Sequence, residues 1–117
     1  MRILIAEDTE SVRCALRLAI EHLGHEVVGL ACDGEEALAA YERTHPEVVL
    51  MDVRMPLIDG LKCTEMLAHQ DPNARVVIVT GGRTTESMAR EVGARALLEK
   101  PFELTRLDAL IHEVAAA

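Results

Sequence analysis

The sequence predicts an α/β domain: one parallel sheet with helices packed on both faces. Three observations predict it. Five short apolar runs fall at residues 3–6, 27–31, 48–51, 76–79 and, more weakly, 95–99. The clearest of them do not alternate with polar residues and are rich in Val and Ile, as strands buried on both faces are. Stretches with apolar residues at helical spacing follow each run, and a strand–helix–strand alternation of this kind builds a parallel sheet through crossover connections. Finally, 117 residues, half of them hydrophobic, make a single domain long enough to bury a core.

The first run, Ile3-Leu4-Ile5-Ala6, ends in Glu7-Asp8, and Asp8 or Thr9 can cap the helix that follows. Val12, Ala15, Leu16, Ala19, Ile20 and Leu23 form its apolar stripe, and Gly24 ends it. After the second run, Asp33 and Glu36 have the spacing of a capping box, and Ala37, Leu38 and Tyr41 mark the inward side of the next helix. His45-Pro46 breaks that helix. The third run, Val48 to Met51, leads straight into Asp52. Pro56 keeps the next helix from starting early, and Asp59-Gly60 begins it, with Cys63, Met66 and Leu67 facing inward.

Asp71-Pro72-Asn73 is a turn before the fourth run, which ends in Thr80-Gly81-Gly82. Thr84 or Thr85 caps a short helix with Met88 and Val92 pointing inward, closed by Gly93. The fifth run ends in Lys100-Pro101. Leu104, Leu107, Leu110, Ile111 and Val114 share one face of the last helix, and residues 115–117 read as a fraying tail or the start of a linker.

Composition narrows the function. The net charge of −8 repels phosphate backbones, so this domain is not expected to touch nucleic acid directly. With Tyr41 and Phe102 as the only aromatic residues, stacking platforms for single strands are missing too. No apolar run reaches membrane-spanning or signal-peptide length, and no basic amphipathic helix suggests a membrane surface. Three scattered cysteines, Cys14, Cys32 and Cys63, read as buried free thiols of a cytoplasmic protein. The five histidines read as surface residues without metal spacing.

The chemistry lies just past the strand ends. Glu7 and Asp8 follow the first strand, Asp52 the third, Thr80 the fourth and Lys100 the fifth, all on one edge of a parallel sheet. Three crowded carboxylates raise one another's pKa unless a cation intervenes. A hard divalent ion with oxygen ligands, Mg²⁺, answers that need, and Lys100 can pair with Asp52. A carboxylate nucleophile beside a cation, an ammonium and a hydroxyl makes a phosphoryl-transfer site.

Glu7-Asp8, the stretch from Asp52 to Gly60, Thr80-Gly81 and Lys100-Pro101-Phe102 together resemble the receiver domain of two-component response regulators, in order and spacing over residues 1–117. The resemblance implies a flavodoxin-like (βα)5 fold with strand order 2-1-3-4-5. It implies that Asp52 accepts a phosphoryl group from a sensor histidine kinase or phosphotransfer protein. Asp8, Asp52 and the backbone carbonyl of Arg54 would bind Mg²⁺, and Glu7 would act through a metal-bound water. Thr80 and Lys100 would hold phosphoryl oxygens, and Pro101 would follow a cis bond. The state would be relayed to a partner protein or a fused output domain, with homodimers known among relatives. Enzymatic activity would be limited to Mg²⁺-dependent self-phosphorylation and autodephosphorylation.

Three other readings fit less well, of which a binding module that keeps the fold but is never phosphorylated is made least necessary by the intact acid, threonine and lysine set. A small-molecule aspartyl phosphatase wants a second acid two residues after the nucleophile, where this chain has Arg54. An electron carrier of flavodoxin type wants a phosphate-binding loop after the first strand, where Glu7 and Asp8 would repel it. The chain departs from the receiver pattern at Leu97, where an aromatic residue is usual. The expectation is that switching uses the loop from Thr80 to Thr84 and a short fourth helix, with Gly81 and Gly82 easing the movement.

Overall fold

A computed structural model describes residues 1–116. The chain runs β1 (Arg2–Ala6), α1 (Glu10–His22), β2 (Glu26–Ala31), α2 (Gly34–Thr44), β3 (Val48–Asp52), α3 (Gly60–Gln70), β4 (Val76–Thr80), α4 (Glu86–Glu91), β5 (Ala96–Glu99) and α5 (Leu104–Ala116). Every strand pair is parallel, and the order is β2-β1-β3-β4-β5. The register between β1 and β2 shifts once, at Ile3/Leu4.

Side chains alternate across each strand, so the sheet separates two cores. Leu4, Ala6, Val49, Met51, Val76 and Ile78 face α2, α3 and α4, where Ala37, Tyr41, Cys63, Leu67 and Ala89 cover them. Ile3, Ile5, Val48, Leu50, Val77 and Val79 face α1 and α5, covered by Leu16, Ile20, Leu107, Leu110, Ile111 and Val114. β3 and β4 are buried along their whole length. This explains their unbroken apolar sequence: a central strand has no face left for water.

The helix starts use the residues that propensity picks out. The Asp33 carboxylate accepts from the Glu36 N–H at 2.8 Å, and Asp59 accepts from the Lys62 N–H at 2.8 Å. Glu36 reaches back to the Cys32 N–H at 3.2 Å, one residue beyond the usual box partner. Thr85, not Thr84, caps α4, accepting from Met88 N–H at 3.2 Å. Thr9 occupies the cap position of α1 without a side-chain bond. Gly24 closes α1 at φ +89°, as a C′ glycine does.

Several inward assignments are corrected. Met88 is 41% exposed and Val92 only half-buried, because α4 stops at Glu91 and turns Ala89 onto the core instead. Leu104, the first residue of α5, is 43% exposed. Ala15 faces solvent and Met66 is half-buried. Of the cysteines, only Cys63 is buried; Cys14 is exposed on α1 and Cys32 is half-buried. His25 is not a surface residue: it is buried and bonded to Asp108 at 2.8 Å. Ala115 and Ala116 continue α5 rather than forming a tail, and Ala117 lies outside the described residues.

Candidate phosphoryl-transfer site

Parallel strands of similar length deliver their last residues to one rim. Asp52 is the final residue of β3 and Thr80 that of β4; Glu7 and Asp8 follow β1, and Lys100 follows β5. All five line one pocket of about 440 Å³, together with Arg54 and residues 81–84. Thus every site residue expected from the sequence reaches the same place.

One ligand oxygen from each of Glu7, Asp8 and Asp52 lies within 4.8 Å of the others. Glu7 is 2% exposed and Asp52 9%, while Asp8 is open to solvent. Burial and then the neighbouring Glu7 charge push the Asp52 carboxyl up to about 6, with Lys100 pulling the other way. The ammonium of Lys100 lies 3.3 Å from Glu7 Oε2 and 3.9 Å from Asp52 Oδ1. Its main partner is therefore Glu7, not the expected Asp52. The Lys100–Pro101 bond is cis, as the resemblance implied.

The backbone around the acids is held firmly. Glu7 N–H donates to Ala31 O at 2.9 Å, and Thr9 N–H to Glu7 Oε1 at 3.2 Å. Arg13 donates to the Glu7 carbonyl at 2.8 Å and the Asp8 carbonyl at 3.4 Å. Arg13 escaped the sequence reading, although its place one turn into α1, five residues beyond Asp8, is a usable signal. Beyond Asp52 the chain folds back, and Gly60 N–H donates to Val53 O at 2.7 Å. A Cβ at Gly60 would fall on the Asp52 carbonyl oxygen, so only glycine fits there. Ile58 N–H donates to Pro56 O at 2.8 Å with Leu57 at φ +70°, the pattern of a γ-turn.

On the other side, the buried Thr80 Oγ1 accepts from Gly82 N–H at 3.0 Å. No described acceptor takes its own hydroxyl proton, which leaves it free to donate into the pocket. Arg54 lines the pocket with an exposed side chain. Leu97 is half-buried against the α2–α3–α4 core, without a polar tip.

The donor set suits a hard cation. It is all oxygen and carries excess negative charge that one ammonium does not balance, as the raised Asp52 pKa records. Mg²⁺ fits these residues.

Comparison with known proteins follows the same lines. A model of the response regulator receiver domain family matches residues 3–112. The chemotaxis protein CheY of Thermotoga maritima is 31% identical over 116 residues, covering 97% of this chain and 97% of that protein. The transcriptional regulatory protein PdtaR of Mycobacterium tuberculosis is 39% identical over 108 residues, covering 91% of this chain but 52% of PdtaR. Among solved structures, a chain of the CheX–CheY–BeF3–Mg²⁺ complex from Borrelia burgdorferi has a TM-score of 0.90 at 25% identity, covering 97% of this chain and 88% of the other. No described helix is long and apolar enough to cross a membrane.

Proposed function

The chain belongs to the response regulator receiver domain family, a family of phosphorylation-dependent switches in two-component signalling, and on that premise we propose that Asp52 is its phosphoryl acceptor. The donor is a phosphohistidine of a sensor kinase or phosphotransfer protein. An Asp52 carboxylate oxygen attacks phosphorus as the P–N bond breaks; the imidazole leaves with the electron pair and takes up a proton. The product is an aspartyl phosphate. The receiver domain itself signals rather than turns over substrates, and the only catalysis proposed for it is on its own acyl phosphate.

Asp8, Asp52 and the carbonyl of Arg54 would hold Mg²⁺, with Glu7 acting through a water. When bound, the ion neutralises charge on the phosphoryl oxygens. Lys100 exchanges Glu7 for a phosphoryl oxygen, and the free Thr80 hydroxyl donates to another. The phosphorylated state is read by a downstream protein or a fused output domain.

The observation that carries this reading is the meeting of Glu7, Asp8 and Asp52 within 4.8 Å, with the Lys100 ammonium 3.9 Å from Asp52. The test is acetyl phosphate with Mg²⁺, followed by intact mass and peptide mapping. One phosphoryl group should be gained, and lost in Asp52→Asn or when EDTA removes the metal. Uptake that persists in Asp52→Asn moves the acceptor elsewhere.

A further inference from the structure

At the opposite rim of the sheet lies a second cluster of ligating groups. His25 stands just before β2, and Asp108 and His112 stand one turn apart on α5. His25 Nε2 lies 2.8 Å from Asp108 Oδ1, and His112 Nε2 lies 3.3 Å from the same oxygen. Ligand atoms of all three lie within 4.8 Å of one another. The rings are tilted 53° to each other with centroids 5.4 Å apart, so they flank the carboxylate rather than stack. We propose that His25, Asp108 and His112 form a binding site for a divalent transition-metal ion, Zn²⁺ by its donor set.

Two imidazole nitrogens and one carboxylate oxygen are borderline donors that suit Zn²⁺ and disfavour Mg²⁺, which wants oxygen alone. The arrangement is also partly built. The His25 side chain is 4% exposed, so packing fixes its ring beside Asp108. Asp108 and His112, at 34% and 56%, give an ion a route in and leave a position for water. Each imidazole must enter as the neutral base, so any proton shared with Asp108 leaves on binding.

The site is separate from the phosphoryl pocket. The five residues of β1 lie between the two rims, roughly 17 Å at ~3.3 Å per residue. A bound ion would clip α5 to the start of β2, two elements that are distant in the sequence.

The test is calorimetric titration of the whole chain with Zn²⁺ in excess Mg²⁺, which occupies the carboxylate pocket, with Co²⁺ spectra as a second readout. One equivalent should bind. At saturation near a hundredfold above Kd the Tm should rise on the order of 10 °C. His112→Ala, at an exposed position that leaves the fold intact, should weaken binding about tenfold or more, and Asp108→Asn should do the same. No Zn²⁺ uptake in excess Mg²⁺, or equal affinity in both variants, overturns the proposal.

Discussion

At Asp52, protonation links stability to pH. Its native pKa of about 6 is raised above the ordinary carboxylate value, first by burial and then by Glu7. The unfolded chain therefore loses this proton at lower pH than the native one does. The stabilising contribution is complete below the unfolded pKa and disappears as pH rises through about 6. In EDTA, urea unfolding should show stability falling over that window, and Asp52→Asn should remove the fall. Above it, the variant should be more stable than the parent by on the order of 1–2 kcal/mol. Equal stability of the two at pH 8 would show that Glu7 and Lys100 already balance the charge.

Leu57 poses a different residue-level problem. It holds φ +70° while 73% exposed, so it stores backbone strain without burial in return. Leu57→Gly should raise stability by up to about 1 kcal/mol, the relieved strain exceeding the added chain entropy. A loss in the same unfolding assay would mean that the Leu57 side chain makes contacts of more value than the strain it carries.

Among the elements, α4 is the weakest. It has only six residues and buries Ala89 alone, and it is joined to β4 by exposed glycines. A helix so short has little stability of its own. It adjoins the wall of the pocket that carries Thr80 and Thr84. Hydrogen exchange of residues 80–93 should change when a beryllofluoride mimic and Mg²⁺ are added, with little change in β1 and β3. Unchanged exchange there would place the conformational response in another element. The short fourth helix was legible from the close spacing of Thr80 and Lys100. Its inward face was not, because six residues show less than two turns of periodicity, and Met88 outweighed Ala89 on hydropathy alone.

Taken whole, the molecule gathers Glu7, Asp8, Asp52, Thr80 and Lys100 at one rim and buries its sheet between two layers of helices. The strand–helix alternation made the fold legible, because β3 and β4 touch water on neither face and their sequences contain little else than Val, Ile, Leu and Met. Strand order was carried by the family resemblance, since no spacing in a sequence says which strands are neighbours. The site residues were legible because each stands next to the end of an apolar run. Lys100's preference for Glu7 was not, as it depends on distances from β1 to β5, with β3 and β4 between them. His25 was missed for a similar reason: its partner Asp108 is 83 residues away. With a net charge of −8 and three acids converging, the whole chain should respond to Mg²⁺. At a hundredfold excess over Kd, the Tm should rise by about 5–10 °C, and Asp8→Asn should abolish most of that shift.

The loop that follows Asp52 is gripped from both sides. A Cβ at Gly34 would fall on the Ile58 carbonyl oxygen, and one at Gly60 on that of Asp52. Across the pocket, a Cβ at Gly81 or Gly82 would meet nothing nearer than 3.6 Å. The cleft therefore works like a vice with one jaw bolted down. An incoming group therefore finds steric room on the Thr80 side of the pocket rather than on the Asp52 side.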